Sequence, residues 1–202
     1  MRITAIKQQI HHEGRYAIFV DDEYRLSVNA QTVLDSGIIP GQEIDEQGLS
    51  DLEAAAERDK LYDGCLRLLA LRIRSEWEFD TYLKKKQASP ALRKDILNTL
   101  REKRFIDDKR FAEAFVRDRL ARRPSSRRKL TADLKQKHIA TEIIEEVLHD
   151  EGDDELASLR QLVEKLRRTS RYQDDLKLMQ YLSRQGFNYG NIKQVVKGSY
   201  QS

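Results

Sequence analysis

A repeat of about fifty residues runs through most of the chain and constrains its fold more than any other feature. Two apolar residues four positions apart, followed by basic residues, recur at a spacing of 48 to 51 residues. The three pairs are Phe79 and Leu83, Leu130 and Leu134, and Leu178 and Leu182. An apolar segment with helical spacing precedes each pair, and another follows it. Because this self-similarity is typical of helical repeat arrays, the sequence predicts a mainly α fold, in which tandem three-helix repeats form an elongated array.

The first fifty residues have a different pattern. Ile3–Gln9, Tyr16–Val20 and Tyr24–Val28 are rich in β-branched and aromatic residues, and Asp21-Asp22-Glu23 supplies a turn between the last two. We therefore expect a small β-rich N-terminal unit over residues 1–50, bounded by the acidic stretch Asp45–Ser50. The repeats are predicted over 55–106, 107–150 and 153–202.

Helix-start signals agree with this phasing. Ser75 and Glu78 form a capping-box pattern, and Ser89-Pro90 places a cap and an N1 proline before another helix. Asp107-Asp108 and Asp153-Asp154 stand in matching positions before the first helices of the second and third repeats.

The middle helices end on three different residues. Gly186 falls where a left-handed residue would end the middle helix of the third repeat. Gln87 and His138 hold the equivalent positions, where a left-handed conformation would cost about 1–2 kcal/mol. We therefore expect these two turns to differ from the turn at Gly186.

Positive charge is concentrated in the middle of the chain. The net charge is +3, but residues 60–139 carry 23 Lys or Arg against 11 Asp or Glu, whereas residues 1–59 have a net charge of −7. Such a field attracts polyanions or acidic protein surfaces. The candidate binding residues form a cluster around the Pro-Ser-Ser turn and a weaker set in the first repeat. The cluster comprises Arg117, Arg119, Arg122, Arg123, Arg127, Arg128, Lys129, Lys135 and Lys137. The weaker set comprises Arg72, Arg74, Lys84, Lys85 and Lys86.

Three interpretations of this cluster are open. It contacts nucleic acid, it grips an acidic protein surface, or it is the solvated side of ordinary helices. Binding is favoured because few acidic residues are interspersed, and because arginine suits bidentate contact with carboxylate or phosphate. Aromatic residues beside the basic ones, such as Trp77 and Phe111, could stack on bases, but their helical spacing favours packing between repeats.

Catalysis is not predicted. His11-His12-Glu13 lacks further ligands to complete a metal shell, and Asp107-Asp108 is explained by helix capping. There is no P-loop and no nucleophile constellation, so we expect a protein that is not an enzyme and uses no cofactor. Cys65, the one cysteine, is expected in the core. The lack of a signal peptide and of a membrane-spanning segment predicts a cytoplasmic protein with no membrane partner.

Several motifs together resemble the RecX family, the regulators of the RecA recombinase. They are Leu83-Lys84-Lys85-Lys86, Phe105-Ile106-Asp107-Asp108-Lys109-Arg110-Phe111-Ala112, Leu134-Lys135-Gln136-Lys137-His138-Ile139 and Arg184-Gln185-Gly186-Phe187. Arg15–Asp22 and Ile39–Gln42 also resemble an N-terminal extension that some members carry. His138 departs from the glycine common in the family.

The resemblance implies a curved, all-helical modulator that lodges in the groove of the RecA nucleoprotein filament. It would hinder filament growth, ATP turnover, strand exchange and co-protease activity, and we expect it to act as a monomer. The alternative is a helical repeat protein that binds single- or double-stranded DNA directly, without sequence preference, and for which the recombinase is incidental.

Overall fold

The computed structural model describes residues 1–10, 14–151 and 155–198. Three strands come first: β1 (Ile3–Gln8), β2 (Arg15–Val20) and β3 (Glu23–Asn29). Ten α-helices follow along the described chain. They are α1 (Ala30–Ser36), α2 (Glu46–Leu71), α3 (Glu76–Lys85), α4 (Pro90–Glu102), α5 (Asp108–Arg122), α6 (Arg127–Lys135), α7 (Thr141–Glu151), α8 (Glu155–Arg167), α9 (Asp175–Arg184) and α10 (Tyr189–Gly198). The mainly α fold with a β-rich N-terminal unit is therefore confirmed.

The N-terminal strands form one antiparallel meander in the order β1-β2-β3. The tight turn between β2 and β3 uses Asp21 and Asp22 at φ 49° and 68°, the left-handed values that a two-residue hairpin turn requires. Helix α1, which the sequence analysis did not predict, begins directly after β3 because the side chain of Asn29 accepts from the Thr32 amide at 2.8 Å.

Helix α2 begins within the acidic stretch Asp45–Ser50, and the predicted limit of the N-terminal unit at residue 50 stays a prediction. Asp45 is the N-cap of α2, and its Oδ1 accepts from the Gly48 amide at 2.7 Å. Leu49 and Leu52 on the first turns of this helix pack into the same core as the sheet residues Ile18 and Val28. The acidic stretch that bounds the predicted N-terminal unit is therefore the start of a helix.

Two compact units divide the chain. The first contains Met1–Arg72 and Asp80–Glu102, and the second contains Ile73–Phe79 and the chain from Lys103 onward. In the first unit, Arg58 on α2 donates to Asp95 at 2.5 Å and to Thr99 at 2.9 Å on α4. The repeat limits 55–106, 107–150 and 153–202, and the elongated, curved shape, stay predictions.

In the second unit, the second and third repeats each have their own core. Helices α5–α7 enclose one around Phe111, Leu130 and Leu134. Helices α8–α10 enclose another around Leu178 and Leu182. The leucine pairs that defined the repeat are thus the central core residues of their helices.

The predicted caps are present where the chain is described. Ser75 Oγ accepts from the Glu78 amide at 3.4 Å, Ser89 Oγ accepts from the Leu92 amide at 3.2 Å, and Asp107 Oδ1 accepts from the Arg110 amide at 2.9 Å. Asp153-Asp154 lies outside the described residues, as does His11-His12-Glu13.

The expectation that the middle helices end in different turns is wrong. Gln87, His138 and Gly186 all have a left-handed φ, of 62°, 57° and 89°. In each case the amide of the next residue donates to the carbonyl five positions back; an example is Ile139 N to Leu134 O at 3.2 Å. That next residue is buried in every repeat, as Ala88, Ile139 and Phe187. The paired bonds and the buried residue of this Schellman turn therefore outweigh the cost of a left-handed side chain.

Candidate partner-binding site

The Pro-Ser-Ser turn at the centre of the basic cluster packs inside the second unit. Ser125 and Ser126 are buried. Ser126 Oγ accepts from the Lys129 amide at 3.2 Å, which caps α6, and donates to the Gln185 carbonyl at 2.7 Å, where α9 ends. The turn therefore joins the second repeat to the third. We call this contact, between the start of α6 and the end of α9, the second joint.

Two basic residues of the cluster contribute to this joint, Arg127 through its backbone amide and Lys129 through its side chain. The Arg127 amide donates to Glu155 Oε1 at 3.1 Å, and its guanidinium Nη1 donates to the Leu148 carbonyl at 3.3 Å. Lys129 Nζ donates to Gln185 Oε1 at 3.3 Å. Both side chains are half-buried, so their charges are directed within the protein.

The same joint occurs one repeat earlier, between residues 73–79 and the second repeat. Ser75 Oγ donates to the Lys137 carbonyl at 3.3 Å, as Ser126 does to Gln185. The Glu76 amide donates to Asp108 Oδ1 at 2.9 Å, as the Arg127 amide does to Glu155. Lys137 Nζ donates to Glu78 Oε1 at 2.8 Å, in the place of the Lys129–Gln185 bond. We call this contact, between the start of α3 and the end of α6, the first joint, and Lys137 contributes its side chain to it.

The left-handed residue of each joint is covered by the helix start opposite it. The Trp77 ring stacks on His138, with centroids 4.9 Å apart and planes at 18°. In the second joint a Cβ on Gly186 would lie 2.9 Å from Ser126 Oγ and 3.4 Å from Arg128 Cβ. The predicted packing role of Trp77 is thus confirmed, and Phe79 and Phe111 are buried as well.

The rest of the cluster is closer to solvent. Arg119 donates to Asp133 at 2.9 Å, Arg122 pairs with Asp118 at 2.9 Å, and Arg123 Nη2 donates to the Tyr181 hydroxyl at 2.9 Å. Arg128 and Lys135 lie seven residues apart on α6, and so on one face of it.

The exposed cations of the cluster are Arg117, Arg122, Arg123, Arg128 and Lys135. We call Arg122, Arg128 and Lys135 the exposed triad, because none of the three makes a hydrogen bond across a joint within the described residues.

The weaker basic set is divided between the two units. Arg72, Lys84, Lys85 and Lys86 are exposed and belong to the first unit. Lys84 pairs with Asp80 at 2.6 Å, and Lys86 lies 5.9 Å from the Tyr82 ring centroid. Arg74 is half-buried and belongs to the second unit with the main cluster.

Cys65 is a core residue, as predicted. It is fully buried, and this burial raises the pKa of its thiol to about 12. Tyr82 packs against the same helix at Gly64, where any Cβ would clash with its hydroxyl. Burial and the nearby Cys65 also raise the pKa of Tyr82. A thiol with so high a pKa is not a nucleophile at neutral pH.

Comparison with known proteins identifies the relatives of this chain. Residues 1–45 match the RecX N-terminal domain, residues 107–148 the second RecX three-helix domain, and residues 153–196 the third. A regulatory protein RecX of Halalkalibacterium halodurans is 30% identical over 98% of this chain and 76% of its own length. The chain belongs to the RecX family.

Other RecX proteins are similar over different lengths. The Lactobacillus johnsonii protein is 31% identical over 76% of this chain, a match that spans 56% of that protein's length. The Bacillus subtilis protein is 27% identical over 94% of this chain and 74% of its own length.

Solved RecX structures have the same fold. A crystal structure of regulatory protein RecX superposes with a TM-score of 0.79 at 24% identity, covering 96% of this chain and 98% of that one. RecX from Lactobacillus salivarius has a TM-score of 0.62 at 25% identity, covering 70% of this chain and 95% of that one.

No helix in the described part of this RecX-family chain is long and apolar enough to cross a membrane. Sequence reasoning missed one group of residues, a set of cations and tyrosines around the start of α9. They are Arg171, Tyr172, Lys177, Tyr181 and Arg184. The available signal in the sequence is the proximity of several cations and two tyrosines over residues 167–184, which is weaker than the charge density of residues 117–137.

Proposed function

We propose that this protein regulates the RecA recombinase by binding in the groove of the RecA–DNA filament. There it inhibits filament extension, ATPase, strand exchange and co-protease activity. Membership of the RecX family over nearly the whole chain carries this proposal. The protein acts by binding as a cytoplasmic monomer and catalyses no reaction of its own.

The joints support a binding role for this architecture. Each one fixes the start of a middle helix to the end of the next through backbone and side-chain hydrogen bonds. Within the second unit, the exposed faces of α6 and α9 are thereby held at a set spacing, which suits contact with a partner that is itself periodic. Arg128 and Lys135 give the exposed face of α6 its positive charge, and Arg122 adds a third exposed cation at the end of α5.

Direct, sequence-independent DNA binding is the second candidate, favoured by the same exposed cations. The two functions differ in what they require. A regulator of the recombinase suppresses ATP turnover at substoichiometric amounts and binds naked DNA weakly. A DNA-binding protein inhibits only when it occupies the DNA, with an affinity that falls steeply with salt.

The test is RecA ATPase on single-stranded DNA, titrated with wild type and with the variant Arg122→Glu, Arg128→Glu, Lys135→Glu. Arg123, Arg127, Lys129 and Lys137 are left intact because they donate hydrogen bonds within the second unit, whereas Arg128 lies beside Gly186 through its Cβ and Cδ atoms, which glutamate also has. Reversing three exposed charges should weaken inhibition by at least about tenfold, since like charge at an interface costs several kcal/mol.

The matched control reverses three exposed lysines outside the cluster: Lys165, Lys193 and Lys197. Both variants should keep the wild-type melting temperature within a few degrees, because exposed substitutions change stability by about 0.5 kcal/mol or less each. Equal inhibition by wild type and the folded triad variant would show that the cluster is only a solvated surface. No inhibition by wild type at any concentration would refute the recombinase as partner.

A further inference from the structure

The third repeat contains a pocket that its longer link builds. Helices α8 and α9 are separated by seven residues, whereas α2 and α3, and α5 and α6, are each separated by four. The extra length forms a short 3-10 turn, Ser170–Tyr172, which reaches beside the first turns of α9. A pocket of about 130 Å³ lies there, and we call it the third-repeat pocket. It is lined by Arg171, Tyr172, Lys177, Gln180, Tyr181 and Arg184.

Internal contacts hold this turn in place. Arg167 Nη1 donates to the carbonyls of Tyr172 at 3.2 Å and Gln173 at 2.8 Å, and its Nη2 pairs with Asp175. Gln173 Nε2 donates back to the Arg167 carbonyl at 2.6 Å. The pocket wall is therefore formed before any ligand binds, which lowers the entropy cost of binding.

Three exposed cations line the pocket without neutralising partners. Among the described residues, no carboxylate forms an ion pair with Arg171, Lys177 or Arg184. Of the two acidic residues at the start of α9, Asp175 pairs with Arg167, and Asp174 Oδ1 accepts from the Lys177 amide at 2.8 Å, so three cations stand against one carboxylate that lacks a cationic partner in the described chain. The pocket is consequently a positively charged concavity that attracts anions.

Two tyrosines form the floor of the pocket. The rings of Tyr172 and Tyr181 lie 5.0 Å apart, and both pack on the core of the repeat. The Arg171 guanidinium lies 5.6 Å from the Tyr172 centroid, a cation–π contact that limits its movement. Arg123 of the second repeat reaches the Tyr181 hydroxyl, so a fourth cation stands at the edge.

We propose that the third-repeat pocket binds a phosphate group of a single-stranded nucleic acid backbone. The third-repeat pocket is small and has several cations around it, so it can hold one compact anion such as a phosphate group. A larger ligand, or a pair of stacked bases, needs more room. A nucleic acid strand carries phosphate groups at regular intervals. One phosphate of a strand can therefore bind in the pocket while another contacts the nearby Arg123. The contact is to the backbone, so it carries no sequence preference.

This inference does not rest on the recombinase, because the pocket is tested with naked DNA. The probe is a fluorescently labelled thymidine homopolymer, titrated by anisotropy with the full-length protein at several salt concentrations. The pocket variant is Arg171→Ala, Lys177→Ala, Arg184→Ala. Its control, Lys165→Ala, Lys193→Ala, Lys197→Ala, removes the same charge from exposed sites elsewhere in the repeat.

The pocket variant should bind about tenfold more weakly or worse. Its plot of log affinity against log salt should be less steep by about 0.7 for each phosphate that the remaining side chains no longer neutralise. The control variant should keep most of the wild-type affinity and slope. Circular dichroism and melting on both variants verify that the fold is intact.

Three results would overturn the proposal. Equal weakening by both variants means that net charge alone attracts the strand. No measurable binding by wild type means that the pocket takes no nucleic acid. Competition by polyglutamate as effective as competition by inorganic polyphosphate of the same charge means that the pocket accepts carboxylates, and then an acidic protein is its partner.

Discussion

The two joints of the second unit have one backbone geometry and different side chains. In both, a buried serine caps the middle helix and donates to a carbonyl at the end of the next middle helix. In addition to these shared bonds, the first joint has a Glu78–Lys137 ion pair and a Trp77–His138 ring stack. The second places a Lys129–Gln185 hydrogen bond and a bare Gly186.

The comparison separates what the joint requires from what it tolerates. It requires a hydroxyl at the cap and a left-handed residue at the helix end, since both joints have them. The other positions vary. The side-chain pair across the joint is either an ion pair or a hydrogen bond to a neutral acceptor, and the left-handed residue is either histidine or glycine. Part of the positive charge of the cluster, that of Lys129 and Lys137, therefore belongs to the joints, and the exposed cations remain for a partner.

The largest expected effect comes from filling the second joint with Gly186→Ala. The added Cβ would meet Ser126 Oγ at 2.9 Å while the residue keeps a left-handed φ of 89°. We expect a loss of about 2–4 kcal/mol, from left-handed strain and overpacking together. Urea unfolding followed by circular dichroism measures it.

Gly37→Ala is the matched control, because Gly37 is also left-handed, at φ 61°, but has nothing within 4 Å of its Cβ position. It should lose only the strain contribution of about 1–2 kcal/mol. Equal losses for the two variants would mean that the close approach in the second joint contributes nothing.

A smaller difference is expected between the two capping serines. Ser126→Ala removes a cap and leaves the Gln185 carbonyl without its 2.7 Å donor, so we expect a loss of about 2 kcal/mol. Ser75→Ala removes a longer bond, 3.3 Å, to the Lys137 carbonyl, and should cost about 1 kcal/mol. Thermal melting of both variants ranks them, and the reverse order would contradict the view that bond length reports the strength of these joints.

The sequence predicted one frame residue of each joint, the cap at Ser75 and the helix stop at Gly186, but not the cap at Ser126, the left-handed His138 or the partners across the joints. Ser75 was recognisable as a cap from Glu78 three residues later, and Gly186 as a helix stop, because both are local signals. The bond from Ser75 to Lys137 spans 62 residues, and no local pattern encodes it. Residue propensity also failed at His138, because tertiary contacts with Trp77 and the buried Ile139 override a single-residue preference.

The candidate site shows the same limit. Charge density alone placed nine basic residues in one binding cluster. The Arg127 guanidinium instead donates to the Leu148 carbonyl of its own repeat, and Lys129 and Lys137 donate to acceptors across the joints. Arg128 and Lys135 on α6 are exposed. Helical periodicity separates the faces of α6, but which face meets the next repeat depends on the packing of helices distant in sequence.

The smallest effect is expected at His138, where two opposing contributions nearly cancel. His138→Gly relieves a left-handed side chain at φ 57°, which is worth about 1–2 kcal/mol. It also removes the ring that stacks on Trp77, which is worth about 0.5–1.5 kcal/mol. The two mid-range values leave a net stabilisation of only about 0.5 kcal/mol.

The variant Trp77→Leu removes the stack and keeps the strain, so His138→Gly made in that background should stabilise the protein by about 1–2 kcal/mol. Urea titrations of the four proteins in this double-mutant cycle give both values. If glycine stabilised both backgrounds equally, the stack would have no energetic role, and the first joint would tolerate histidine for a reason other than Trp77.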